Sequence, residues 1–194
     1  MKHSLECMGY GIRLRPVEST DAEFILRLRN LPHVSGTVGD TVPDAGAQRQ
    51  WIQSSWDRPG DYYLLIETEQ GMPIGTVGIY NVLNGVGEWG RWILLPGTTV
   101  ALASAILTLD IAFYQLSLTE VCGCVVKTNS RIVSFHHKFG LRQTRIEQCA
   151  RVIDGKWIDL VWFAMDAADW LSVRRQLHPL AEAGARAFST GHLA

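Results

Sequence analysis

Six histidines, four cysteines and 19 acidic residues give the chain material for acid–base or metal chemistry, and their spacing separates the two. No H-x-x-x-H or H-E-x-x-H pair occurs, so no metal site is expected. Cys122 and Cys124 flank Gly123 as C-x-C, not as the C-x-x-C of a zinc site. Alternate strand residues share a face, which makes the pair read as two small buried thiols. His136 and His137 are adjacent, about 100° apart on a helix, so only one of them can face a cleft. An imidazole with an ordinary pKa of about 6.5 can give or take a proton at neutral pH. Glu88 begins a strand after the turn Asn84-Gly85 and is either a solvated hairpin-end carboxylate or one aimed at a cleft. Asn129 stands where a helix starts, a position Asn caps well. Arg29, Asn30, Trp51, Tyr80, Trp89 and Arg91 could serve a bound molecule. Rings stack on a base or sugar and Arg pairs with phosphate, although Trp and Tyr equally fill cores.

The elements that must position these residues follow from periodicity. Ile12 and Leu14 alternate with polar residues as a short first strand. Thr20 with Glu23 reads as a capping box ahead of Phe24, Ile25, Leu28 and Leu31 at helical spacing, stopped by Pro32. Residues 32–43 read as a loop, and a second helix is expected from Asp44 to about Trp56. Strands are then expected at Tyr62–Thr68, Ile74–Leu83 and Glu88–Leu95, with a hairpin at Asn84-Gly85 and a break at Pro96-Gly97. Val100–Leu116 has a helical face, Val121–Lys127 is a strand, and Asn129–Phe139 is a helix that Gly140 ends. Leu141–Ile153 and Trp157–Met165 form a hairpin through Asp154-Gly155. A last helix covers Asp166–Leu177, so residues 1–178 form one domain and 179–194 a C-terminal tail. A meander followed by alternating strands and helices implies a mixed sheet with helices on both faces.

The bulk composition narrows the partners. With 194 residues the chain suffices for one domain with its own core. Eighteen Lys+Arg against 19 Asp+Glu leave a net charge of −1, without the basic footprint of a nucleic-acid or anionic-membrane binder. No apolar run reaches the length of a membrane span or, near the N-terminus, of a signal peptide. A cytoplasmic, reducing setting is expected.

Four segments in this order resemble the GNAT superfamily of acyl-CoA-dependent N-acetyltransferases, over about residues 11–172. They are Ile12-Arg13-Leu14-Arg15-Pro16 with Asp21-Ala22; Pro73-Ile74-Gly75-Thr76-Val77-Gly78; Asn129 through Leu141, similar to the family's helix ending in Lys-x-Gly-hydrophobic; and Asp154 through Asp159 with Trp170. Leu28-Arg29-Asn30 and Phe135-His136-His137-Lys138-Phe139-Gly140 are similar to the branch that acetylates nucleotide-linked amino sugars, alongside the ribosomal-protein branch. The resemblance implies an α/β fold with a mixed, mostly antiparallel sheet of about seven strands. Helices lie on both faces, and a V-shaped opening between the fourth and fifth strands admits the coenzyme's pantetheine arm.

It also implies a reaction, in which a neutral amine attacks the thioester of acetyl-CoA while a base removes a proton and an acid protonates the leaving thiolate. Glu88 matches the family's cleft-facing carboxylate and would be the base. His136 stands where many relatives carry the acid Tyr. Asn129 and Lys138 would contact the coenzyme, and the backbone of Leu94 and Leu95 would face the thioester and pantetheine. The family's phosphate loop, (Gln/Arg)-x-x-Gly-x-(Gly/Ala), corresponds to Thr98-Thr99-Val100-Ala101-Leu102-Ala103, followed by Ser104. Thr98 replaces the long polar residue and Ala101 the first glycine, but a helix N-terminus presents its amides without glycine, and Thr98 or Thr99 could donate hydroxyls. The acceptor is expected to be a small amine, foremost a nucleotide-linked amino sugar bound by Arg29, Asn30, Trp51, Tyr80, Trp89 and Arg91, with the protein a monomer or homodimer. A protein N-terminal amine, a polyamine or an antibiotic is the alternative acceptor. A catalytically silent binding module is the alternative class.

Overall fold

The computed structural model describes residues 2–32, 34, 44–153 and 155–191. In chain order the elements are β1 (Cys7–Gly9), β2 (Ile12–Pro16), α1 (Ala22–Arg29), α2 (Ala45–Ser55), β3 (Tyr62–Thr68), β4 (Pro73–Leu83), β5 (Val86–Leu94), α3 (Ala101–Asp110), β6 (Glu120–Val126), α4 (Ser130–Phe139), β7 (Arg142–Ile153), β8 (Lys156–Asp166) and α5 (Ala167–Gly191). The strands form one sheet ordered β1-β2-β3-β4-β5-β6-β8-β7. Every neighbouring pair is antiparallel except β5–β6, which is parallel.

Helices cover both faces. On one, α3, α4 and α5 bury Ile106, Leu109, Phe139 and Trp170 against Leu64, Val77, Ile79, Val121 and Phe163 of the strands. On the other, α1 and α2 bury Ala22, Ile25 and Ile52 against Tyr63 and Leu65. Central strands enclosed in this way explain the apolar runs of β3 and β4, because a strand covered on both sides loses the alternation that marks a solvated face.

The opening in the sheet has a local cause. β5 and β6 pair only at Val86↔Glu120, Gly87↔Val121 and Glu88↔Cys122, although both strands continue. Just beyond, Gly78 pairs with Gly90 and Thr76 with Ile93, so Arg91 and Trp92 together oppose Val77. This is a β-bulge, with Arg91 in the left-handed region at φ 51°. A bulge bends its strand and turns one side chain to the opposite face, and here it carries the end of β5 away from β6. The opening thus lies between the fourth and fifth of the expected strands.

Several expectations are corrected. An eighth strand, β1, pairs with β2 through the turn at Tyr10-Gly11. The first helix is preceded by a short turn whose reciprocal contact is Asp21 accepting the Glu18 backbone N–H at 2.8 Å, not Thr20 with Glu23. The 32–43 loop, apart from Pro32 and Val34, and Asp154 of the last hairpin lie outside the described residues. The tail expected from Pro179 is helical to Gly191, because Ala181 and Phe188 are buried against the body of the protein. Proline in a helix interior costs about 3 kcal/mol, and that burial offsets it.

Candidate active site

Glu88 is the last residue of β5 paired to β6, at the apex of the opening. Its partner across β4–β5 is Tyr80, and the Tyr80 hydroxyl donates to Glu88 Oε1 at 3.0 Å while Asn81 Nδ2 donates to Oε2 at 3.0 Å. Both carboxylate oxygens are thereby oriented. Burial first, and then the Glu88 charge, push the Tyr80 phenol well above its ordinary range, so it stays protonated. Opposite Glu88 on the same face lies Cys122, then Cys124, whose thiol is pushed up to about 11 by burial and by Glu88. Neither cysteine is a thiolate at neutral pH, since burial also raises Cys122.

This face continues onto β8 and β7, with no helix covering it among the described residues. Cys124 pairs with Trp162, and Arg145 of β7 lies over the Trp162 ring at 4.2 Å. Trp162 Nε1 donates to Glu147 at 2.7 Å. Arg151 follows on the same face, with no ion-pair partner among the described residues. Toward α2 the face is bounded by Arg91, which the bulge brings alongside Tyr80, Tyr63 and Trp51.

His136 lies on the opposite face, 7% exposed, its ring stacked on Trp89 at 5.2 Å and against Phe163 at 5.0 Å. Its Nδ1 is 2.8 Å from the Ile132 carbonyl, which can only accept, so Nδ1 carries the proton and the neutral ring has a bare Nε2. Burial lowers the pKa. The ring is therefore neutral near pH 7 and has no Nε2 proton to donate. His137 is exposed and meets Phe163 edge-on. Trp89, 5% exposed, has a buried indole N–H with no hydrogen-bond partner among the described residues.

Past Pro96 the chain turns into α3 with Val100 as its cap and no side chain closing the helix end. The first helical bond is Ser104 N–H to the Val100 carbonyl at 2.9 Å. The amides of Ala101, Leu102 and Ala103 accordingly have no partner among the described residues, as the geometry of a helix start dictates. Three unpaired N–H groups at the positive end of a helix dipole suit a phosphate. The Thr hydroxyls do not add to this: Thr98 donates to the Leu95 carbonyl at 2.9 Å and Thr99 to the Gly184 carbonyl of α5 at 2.7 Å. Ser104 is likewise engaged, donating to Ala101 and accepting from Trp92 Nε1. Leu95 N–H bonds to Ile74, so it does not face the opening.

The expected residues thus divide. Glu88, Tyr80, Arg91 and Trp51 come together on one face, while Trp89 and His136 lie on the other. Asn30 is turned back on its own helix, donating to the Leu26 carbonyl at 3.0 Å, and Arg29 ends α1 near Tyr63. Asn129 caps α4, its side chain accepting from Ile132 N–H at 3.3 Å, and Lys138 is exposed. Asp61, Tyr63, Asn81, Arg145 and Trp162 were not expected. Of these, only Trp162 carried a signal in the sequence, as an aromatic in the last strand. No group of three His, Cys, Asp or Glu able to hold a metal occurs among the described residues. A groove of about 740 Å³ between the β1–β2 turn and α5 shares no residue with this constellation.

A family model described as an acetyltransferase (GNAT) domain matches residues 12–142. The chain belongs to the GNAT acetyltransferase family; it is an acetyltransferase whose acyl donor is acetyl-CoA. No curated protein matches it by sequence. Among solved structures it is similar to apo FdhC, described as a nucleotide-linked sugar GNAT, at 25% identity and TM-score 0.77, over 92% of this chain and 99% of that one. Spermidine N-acetyltransferase from Vibrio cholerae, solved with CoA and spermine, aligns at 18% identity and TM-score 0.77 over 84% and 99% of the two chains. A GCN5-related N-acetyltransferase from Brucella melitensis aligns at 16% identity and TM-score 0.78, over 91% and 85%.

Proposed function

We propose that the protein transfers the acetyl group of acetyl-CoA to the primary amine of a nucleotide-linked amino sugar, with Glu88 as the general base. The observation that carries this reading is the Glu88 carboxylate, held by Tyr80 and Asn81 at the residue where β5 and β6 part. The coenzyme supplies a thioester carbonyl open to attack by an amine. Ala101, Leu102 and Ala103 N–H groups bind its pyrophosphate, and the unpaired edge of β5 beyond Glu88 lies along its arm. Glu88 takes one proton from the acceptor's ammonium group, directly or through one water; the neutral amine then attacks, and the departing thiolate takes up a second nitrogen proton as the amide forms. That assistance is worth about 10² to 10⁴ in rate. His136 acts as the acid only through its imidazolium form, which its burial disfavours.

For the acceptor, Trp162 offers a ring on the open face, and Arg145 and Arg151 offer cations suited to phosphates. A polyamine would meet those same cations with like charge. The likeness to the nucleotide-linked sugar enzyme supports the same choice.

Three measurements test the reading. Calorimetry with acetyl-CoA should give saturable binding. An acceptor panel of nucleoside-diphosphate amino sugars, spermidine and an N-terminal peptide should show the sugar acetylated at least tenfold faster in kcat/KM. Spermidine as the best substrate would reject the sugar. A Glu88→Gln protein should lose turnover by about 10² or more while binding acetyl-CoA as before.

A further inference from the structure

We infer that Asp61, Arg91 and Tyr80 are positioning residues that hold the Glu88 carboxylate in its working orientation, on a floor cleared by Gly78 and Gly90. The inference rests on Glu88 being the base, and it reassigns Arg91 and Tyr80 from acceptor contacts to the support of that base.

Arg91 does not reach into the open face as a free cation. Its two terminal nitrogens donate to the two oxygens of one carboxylate, Asp61, with Nη2 to Oδ2 at 3.0 Å. The Asp61 side chain is only 7% exposed. Bidentate pairing of this kind fixes the plane of the guanidinium as well as its place. That plane lies 4.4 Å from the Tyr80 ring centre, with Trp51 and Tyr63 at 5.1 Å and 5.4 Å. A phosphate would have to displace Asp61 to claim Arg91, whereas the ring of Tyr80 is already seated on it.

Tyr80 reaches Glu88 because glycine lies beneath it. A Cβ on Gly90 would stand 2.3 Å from the Tyr80 hydroxyl and 3.1 Å from its ring carbons, and a Cβ on Gly78 would stand 3.2 Å from Arg91 Cδ. The two glycines are paired across β4 and β5. Together they form a strip without side chains, over which the phenol and the Arg91 stem lie flat. The bulge completes the arrangement, since regular alternation after Gly90 would turn Arg91 to the α3 side. Tyr80 then holds one carboxylate oxygen and Asn81, itself in the left-handed region at φ 53°, holds the other. Each oxygen keeps a lone pair for an amine or a water. Because the phenol is pushed upward, it remains a donor across the working range and does not exchange its own proton.

The test uses Tyr80→Phe, Gly90→Ala, their combination, and Asp61→Asn, with Glu88→Gln in parallel. Thermal melting checks folding, and the panel amine turned over fastest serves as acceptor. Tyr80→Phe and Gly90→Ala should each lower kcat about ten- to a hundredfold, the scale of an ångström-sized misplacement, and leave the KM for acetyl-CoA unchanged. The double variant should be no worse than the poorer single one, as both break the same hydrogen bond. Asp61→Asn should likewise lower kcat with the KM for acetyl-CoA unchanged, a split that mere loss of stability would not produce. Wild-type kcat in Tyr80→Phe, or additive losses in the double variant, overturn the inference even when Glu88→Gln is inactive. A fully active Glu88→Gln overturns the base assignment instead. Should Gly90→Ala fail to fold, Tyr80→Phe and Asp61→Asn decide.

Discussion

Between Trp89 and Phe163 the His136 ring has given up most of its contact with water, which disfavours its charged form. The native pKa lies below the unfolded one, so at acidic pH the unfolded chain binds more protons. Stability is then full above the ordinary histidine value of about 6.5 and falls as the pH drops toward the lowered native value. His3, also lowered by burial, acts with the same sign. The melting temperature should fall between pH 7 and pH 5.5, and His136→Phe, which keeps an aromatic ring in the stack, should remove part of that slope. An unchanged slope would mean that the ring is not held neutral. The adjacency of His136 and His137 announced that only one could turn inward, but not that the inward one would meet a layer of aromatic rings. Its neighbours Trp89 and Phe163 are remote in sequence. The place of Glu88 on its strand was legible because a turn precedes it, while its contacts with Tyr80 and Asn81 depend on strand register that no local pattern reveals.

The elements themselves were readable where periodicity is strong, as in α2, α4 and the β3–β5 meander, and less so where tertiary contact overrides it. The bulge in β5 shows why. In Glu88-Trp89-Gly90-Arg91-Trp92 the two tryptophans share a face and Gly90 shares one with Arg91, which two-residue alternation cannot produce. Gly123 was read only as the spacer of a C-x-C, yet a Cβ there would lie 2.7 Å from the Trp89 carbonyl, so it permits the close approach of β6 to β5 at the apex. At the start of α3 the missing glycines conceal a feature that depends on helix geometry rather than residue type. Ala101→Glu tests it, since the two consequences differ in sign. An acidic residue in the first turn favours the helix dipole by about 0.3–1 kcal/mol, so stability should hold or rise slightly. The same charge should repel the pyrophosphate and weaken acetyl-CoA binding about tenfold or more in calorimetry. Unchanged affinity would remove this helix end from the coenzyme site.

Taken as a whole, the molecule ties α3 to its C-terminal helix. α3 and α5 are joined at one end by Asp110, which accepts from Trp170 Nε1 at 3.0 Å and from Arg174. At the other end Thr99 donates to the Gly184 carbonyl, and a Cβ on Gly184 would come within 2.6 Å of the Thr99 oxygen. The second contact belongs to the segment that proline chemistry alone would have released as a tail. Pro179 argues for a helix end in sequence, whereas the burial of Leu177, Ala181 and Phe188 is decided by what lies opposite them in space. A chain ending at His178 should therefore lose more than stability. Burying Phe188 alone is worth about 1.5–3 kcal/mol, so the melting temperature should drop by several degrees. The turn from Pro96 to Val100, no longer held by Gly184, should present its amides less firmly. The expected kinetic signature is a rise in the KM for acetyl-CoA that exceeds any fall in kcat, measured below the new melting point. A truncated protein with wild-type KM would mean that the helical segment after His178 serves stability alone, and that the start of α3 holds its shape unaided.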